Sequence, residues 1–132
     1  YREMPLLSIW EGSGNIMCLD VIRSITREPA AVASLARRLD TARGTLPAFD
    51  QAADLTLRAL QTPDPSQARV MTHQLVVTLQ ALLLLRGNQP ELADLWCRYR
   101  LSEAGAGLPS YGTLPPGVDP HQILAAVVPA YH

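Results

Sequence analysis

The stretch 65–86 constrains the fold most strongly, because it is a long and mostly apolar helical segment. Its apolar residues lie on almost every side of a helix: Val70, Leu75, Val77, Leu79, Leu82, Leu83 and Leu85. A helix with so little polar face is stable only when other elements cover it. The stretch therefore predicts a central helix with the remaining helices packed around it.

The rest of the chain shows the same helical spacing, interrupted by prolines and glycines. A proline is tolerated at the first position of a helix, where its missing N–H has no partner to lose. We predict helices over about 14–27, 29–43, 47–61, 65–86 and 90–101, and a last one from Pro120. Asp64 and Asp119 each precede a proline and are expected to cap a helix. A loop rich in Gly and Pro spans 102–119, and no stretch alternates as a strand does. The fold class is therefore all-α, an antiparallel helical bundle with short loops.

Composition excludes some classes of protein. The chain has 132 residues, about one domain, and a formal net charge of −1, which gives no global attraction to nucleic acid or to an anionic membrane. The longest apolar run, 81–85, is too short to span a bilayer, so no membrane partner is expected. Cys18 and Cys97 lie far apart in apolar patterns, which favours buried free thiols in a reducing, cytoplasmic compartment.

Common catalytic and metal sites have no support in the sequence. His73, His121 and His132 share no ligand spacing with one another or with the cysteines, so we expect no metal. The chain has neither a nucleophile elbow nor a phosphate-binding loop of the P-loop type.

The segment "WEGSGN" at 10–15 places a carboxylate between a large aromatic residue and two glycines. Glu11 follows Trp10 and precedes a Gly-Ser-Gly bend at the start of a helix. One interpretation is a helix-end charge, since acidic residues near a helix N-terminus are stabilised by its dipole. The other is a general base at the mouth of a cleft, shielded by the Trp10 ring. The residue types alone do not distinguish between these two interpretations of Glu11.

A set of arginines forms the second feature of interest. All eleven basic residues are arginine, and region 29–132 holds eight of them against eight acidic residues. Arg37, Arg38 and Arg43, with Arg58 and Arg69 further on, suit either a solvated helix face or a local patch that contacts phosphate groups.

The segment "MPLLSIWEGSGNIMCLDVIR", residues 4–23, resembles the C-terminal signature of the acyl-CoA dehydrogenase superfamily. It is most similar to the alkylation-response, AidB-like branch, in which a tryptophan precedes the glutamate and "EGSGN" replaces "EGT". The match covers about residues 1–28, which the resemblance assigns to the last helix of the dehydrogenase C-terminal domain. Residues 29–132, including the loop "YGTLPPGVD" at 111–119, resemble the extra C-terminal helical domain of that branch.

The resemblance also implies roles for individual residues. Glu11 takes the place of the catalytic base that removes the α-proton of an acyl-CoA thioester. Gly12 and Trp10 fall at substrate-contacting positions. Ser13, Gly14 and Asn15 fall where the family contacts FAD.

For partners, the resemblance implies a homo-oligomer, a tetramer in this family, and binding of double-stranded DNA linked to protection from alkylation. The candidate DNA contacts are Arg23, Arg37, Arg38, Arg43, Arg58 and Arg69. Because the chain starts at Tyr1 without a methionine, we expect a piece of a larger protein that lacks its N-terminal helical domain and its β-domain. Such a piece is expected to bind FAD weakly or not at all and to be inactive alone.

Two other interpretations of function stay open from the sequence. One is an ordinary FAD-dependent acyl-CoA dehydrogenase with a helical C-terminal extension. The other is a non-catalytic module, residues 29–132, whose apolar fourth helix packs against a neighbouring subunit.

Overall fold

The computed structural model describes residues 14–87, 89–101 and 119–127, and the statements below concern these residues. They form six α-helices and no strand, which confirms the all-α prediction. The helices are α1 (Gly14–Arg27), α2 (Pro29–Asp40), α3 (Pro47–Gln61), α4 (Ala68–Arg86), α5 (Pro90–Trp96) and α6 (Pro120–Val127). A 3₁₀ turn, Pro65–Gln67, precedes α4, and a π-helical turn, Cys97–Leu101, follows α5.

The aspartate caps lie where the sequence predicts them. The Asp64 side chain accepts a hydrogen bond from the backbone N–H of Ser66 at 2.8 Å. Hydrogen bonds from the Ser66 hydroxyl and backbone lower the pKa of Asp64. Asp119 accepts in the same way from the backbone N–H of His121, at 2.9 Å. Both caps satisfy amide donors that a helix start otherwise leaves without partners.

The end of α2 differs from the prediction of a helix to about residue 43. The helix ends at Asp40, and residues 41–44 form a turn that closes on Gly44, whose φ is +80°. A backbone in this left-handed region favours glycine. The Gly44 amide donates to both carboxylate oxygens of Asp50, at 3.1 and 3.2 Å. A side chain from α3 therefore fixes where α2 stops.

Helices α2 to α5 run antiparallel to their neighbours in sequence. Leu39 at the end of α2 packs in one cluster with Phe49 at the start of α3. Midway along α3, the Thr56 hydroxyl lies 3.0 Å from that of Thr78 on α4. The indole N–H of Trp96, at the end of α5, donates to the Val77 carbonyl of α4 at 3.2 Å.

Two apolar clusters hold the helices together. The main core lies among α2, α3, α4 and the π-helical turn, and its buried members are Leu39, Ala42, Phe49, Ala53, Ala81, Leu82 and Cys97. The α1 cluster joins α1 to the end of α3 and the start of α4, and its buried members are Ile22, Leu60, Ala68 and Met71. Helix α1 thus packs on the end of the bundle where the α3–α4 connection lies.

Helix α4 is central, as predicted, and contacts α1, α3 and α5. With the 3₁₀ turn before it, the segment Pro65–Arg86 is long and apolar enough by length and composition to cross a membrane. A core helix of a bundle meets the same criterion. Val70, Val76 and Leu83 are exposed. The prediction that other helices cover α4 was therefore wrong for Val70 and Leu83. Leu83 lies away from the face that carries Met71, Val77 and Leu82, whereas Val70 lies on the same side as Val77 but near the start of the helix.

Candidate functional site

The predicted active-site segment is described only at its C-terminal end. Trp10, Glu11, Gly12 and Ser13 lie outside the described residues. Gly14 and Asn15 begin α1, and both are exposed. The structure therefore shows how the later part of the chain holds the residues that directly follow Ser13.

An arginine from α4 holds this first turn of α1. The Nε of Arg69 donates to the side-chain oxygen of Asn15 at 2.9 Å, across 54 residues of sequence. A β-carbon at position 14 would lie 3.2 Å from a terminal guanidinium nitrogen of Arg69. The guanidinium group therefore lies against the Gly14 backbone, in space that the missing side chain leaves open.

Local structure explains why Arg69 is in place to make this contact. It is the second residue of α4, directly after the turn that Asp64 and Pro65 begin. Ala68 and Met71, on either side of it in sequence, are buried in the α1 cluster and fix the first turn of α4. A surface cavity of about 270 Å³ lies beside the contact, and its lining includes Cys18, Leu19, Pro65 and Ser66.

The six candidate DNA-contacting arginines differ in the partners that the structure gives them. Arg23 on α1 pairs with Asp20 at 2.7 Å, and Arg69 donates to Asn15. Arg37 and Arg38 are exposed in the last turn of α2.

Arg43 and Arg58 are brought together around one aspartate. Arg43 pairs with Asp54 at 2.6 Å and with Asp40 at 2.9 Å. The hydrogen bonds that its guanidinium donates to Asp54 and Asp40 raise the pKa of Arg43. Arg58 donates to the backbone carbonyl of Asp54 at 3.3 Å. Within the described residues, the other four arginines each bond to an acceptor. Arg37 and Arg38 are therefore the candidates whose guanidinium groups are most available to a ligand.

The two cysteines are free, as predicted, and differ in burial. Cys18 is half-buried beside the cavity, and Cys97 is buried in the main core. Burial, with a smaller contribution from the nearby Asp94 charge, raises the pKa of the Cys97 thiol to about 11. Among the described residues, no three His, Cys, Asp or Glu side chains are grouped so as to hold a metal ion.

Sequence reasoning missed the contact between Arg69 and Asn15. It assigned Arg69 to DNA and Asn15 to a cofactor, and no periodicity or motif relates residues 54 positions apart. The contact follows from the α3–α4 connection, which brings the start of α4 next to the start of α1.

Comparison with known proteins gives one curated relative. The chain is 37% identical over 105 residues to AidB of Escherichia coli (strain K12), an acyl-CoA dehydrogenase-like protein. The match covers 80% of this chain and 19% of that protein, so the chain corresponds to about a fifth of its relative. No profile of a protein family matches the chain, and no solved structure matches it. The prediction made from the glycine-rich signature is confirmed: over 80% of its length the chain is similar to the AidB-like branch of the acyl-CoA dehydrogenase family.

Proposed function

We propose that this chain is the C-terminal part of an FAD-dependent, acyl-CoA dehydrogenase-like protein, and that residues 10–15 form one side of its active site. The observation that carries the proposal is the 37% identity to an acyl-CoA dehydrogenase-like relative over 80% of the chain. The signature "WEGSGN" supplies the chemistry, a carboxylate followed by two glycines and a serine. We assign residues 1–28 to the dehydrogenase C-terminal domain and residues 29–132 to an added helical domain.

In this proposal Glu11 is the general base. It takes the proton α to the thioester carbonyl of an acyl-CoA, and the hydride leaves from the β-carbon. A carboxylate that a neighbouring aromatic ring shields partly from water is a better base than an exposed one, and Trp10 precedes Glu11 in the sequence. Gly12 lets the backbone approach the substrate closely.

The described start of α1 fits a bound FAD. Gly14 and Asn15 are exposed, and the first amides of a helix have no partner within it, so they are available as donors. Ser13 would add a hydroxyl, and the Asn15 oxygen is occupied by Arg69. When bound, FAD supplies the acceptor for the hydride.

The experiment uses the full-length parent protein loaded with FAD and a branched short-chain acyl-CoA. Glu11→Gln is expected to slow flavin reduction by about 10²- to 10⁴-fold, the usual contribution of a general base, while FAD stays bound. Glu28→Gln is the matched control, because Glu28 is an exposed carboxylate between α1 and α2. Unchanged flavin reduction in Glu11→Gln contradicts the assignment.

For the added helical domain we propose binding of double-stranded DNA, connected with protection from alkylation, in a cytoplasmic homo-oligomer. The exposure of Arg37 and Arg38 at the end of α2 supports this, because arginine suits fixed, planar contacts with phosphate. The ion pairs of Arg23 and Arg43 make these two the weaker candidates.

Duplex binding by the full-length protein tests this part at several salt concentrations. Arg37→Ala with Arg38→Ala is expected to weaken binding and to reduce the salt slope by about 1 for each phosphate group that the variant no longer neutralises. Arg86→Ala, an exposed arginine at the end of α4, is the control. An affinity and slope equal to those of the unmodified protein exclude this pair of arginines.

The exposed side of α4 favours a second role, as a packing surface between subunits. Val76 and Leu83, seven residues apart, are large apolar residues exposed on the same side of that helix. Sedimentation of the full-length protein separates this role from the others. Leu83→Glu dissociates the oligomer if this side of α4 lies in the interface, and it leaves the oligomer intact if the side faces solvent.

A further inference from the structure

We propose that Arg69 is a positioning residue for the FAD-contacting segment, and that it couples the added helical domain to the active site. This inference rests on the proposed function, since it takes residues 13–15 as part of the FAD site. It assigns Arg69 a role within the protein in place of a contact with DNA.

The geometry of the contact constrains the start of α1 in two ways. The Nε of Arg69 donates to Asn15 at 2.9 Å, and its terminal nitrogen lies against Gly14. A guanidinium is planar and rigid, so this combination fixes both the position and the direction of the first turn of α1. A β-carbon at position 14 would make the end of the Arg69 side chain shift by a few tenths of an ångström.

The backbone around Arg69 is held in place by apolar packing and by the Asp64 cap. Its neighbours Ala68 and Met71 are buried in the α1 cluster together with Ile22 of α1. The turn before it is held by the Asp64 cap. The contact therefore joins the exposed start of α1 to the well-packed start of α4.

The first turn of α1 bears directly on the proposed site. Gly14 and Asn15 belong to the segment that the proposed function assigns to FAD, and they follow Ser13 directly in the sequence. Displacements of about 1 Å in a positioned group cost large factors in catalysis. By holding this turn, Arg69 keeps the amide donors of the segment in place for FAD.

The test measures the dissociation constant of FAD and the fluorescence of the bound flavin in the full-length parent protein. Arg69→Ala is expected to weaken FAD binding by up to about tenfold and to change the flavin emission. The reason is that ordering the first turn of α1 must then draw on the free energy of FAD binding, in place of the charge-assisted hydrogen bond to Asn15. Asn15→Ala should produce the same loss, and the double variant should lose no more than either single one. Arg69→Lys, which keeps a donor, should recover most of the affinity. Arg86→Ala, at the other end of α4, should bind FAD as the unmodified protein does.

Several results would overturn the inference. An Arg69→Ala protein with unchanged FAD affinity and emission overturns it, as does a double variant whose loss is the product of the two single losses. If Arg69→Ala fails to fold, Arg69→Met decides the matter, because it removes the donor, keeps a long apolar side chain at this exposed position and leaves Asn15 unchanged. A full-length protein that binds no FAD overturns the proposed function as well, whereas FAD binding that is indifferent to both variants overturns this inference alone.

Discussion

The main core and the α1 cluster differ in how completely their side chains are covered. In the main core Leu39, Phe49, Ala53 and Ala81 are 0% exposed, and the most exposed members are Leu82 at 4% and Ala42 at 6%. In the α1 cluster exposure ranges from 4% for Leu60 to 8% for Met71. Both clusters are made of the same kinds of side chain, so the difference lies in how many helices surround them.

The topology explains this difference. The main core lies among α2, α3, α4 and the π-helical turn, whereas α1 packs mainly against α4 and to a smaller extent against α2. Ile16 and Met17 of α1 remain 51% and 52% exposed. The less covered region is the one that carries the start of the proposed active site, in keeping with the general rule that binding segments come from the less stable parts of a fold.

The largest losses of stability are expected in two separate variants, each of which truncates a buried leucine of one region to alanine. Leu39→Ala in the main core is expected to lower the free energy of unfolding by about 4 kcal/mol, and Leu60→Ala in the α1 cluster by about 3 kcal/mol. The second loss is smaller because the site lies nearer the surface and can partly collapse around the cavity. Urea denaturation of both variants measures the difference, with the exposed Leu55→Ala of α3 as control. A greater loss in Leu60→Ala would reverse the comparison.

A smaller effect is expected at the polar pair beside the main core. Thr56→Val leaves the buried Thr78 hydroxyl without its partner on α3 and should cost about 1–2 kcal/mol. The Thr56→Val, Thr78→Val protein should lose less than the sum of the two single variants, because removing both hydroxyls leaves neither partner unsatisfied. Chemical denaturation of the three variants completes the cycle. Strictly additive losses would show that the two hydroxyls do not interact.

The smallest effect concerns pH and the thiol of Cys97. Its pKa in the folded protein, about 11, lies above the ordinary value of 9.0. Folding therefore favours the protonated thiol, and the resulting stability is complete below pH 9 and declines as pH rises toward 11. Between pH 8 and pH 10 we expect a loss of about 1 kcal/mol that is absent in Cys97→Ala. Denaturation curves of the two proteins at these pH values measure it, and identical pH profiles would contradict it.

The sequence predicted helices where the signals are local. Pro29, Pro47, Pro65, Pro90 and Pro120 all stand at the start of a helix or helical turn. The caps of Asp64 and Asp119 depend on residues two positions away and were also predicted correctly.

Features that depend on distant residues escaped prediction. The end of α2 depends on Asp50, six residues beyond Gly44, and the exposure of Val70 and Leu83 depends on which helices surround α4. The contact between Arg69 and Asn15 depends on the packing of α1 against α4. The roles of Trp10, Glu11, Gly12 and Ser13 remain predictions from the signature.

Above all, we expect this chain to complete an FAD site in a larger protein of its family. The sharpest test is the ratio of bound FAD to polypeptide in the purified full-length parent, measured from the flavin absorbance before and after incubation with excess FAD. We expect a fixed ratio of FAD to subunit that Glu11→Gln retains. A full-length protein that stays free of flavin after incubation would contradict this expectation.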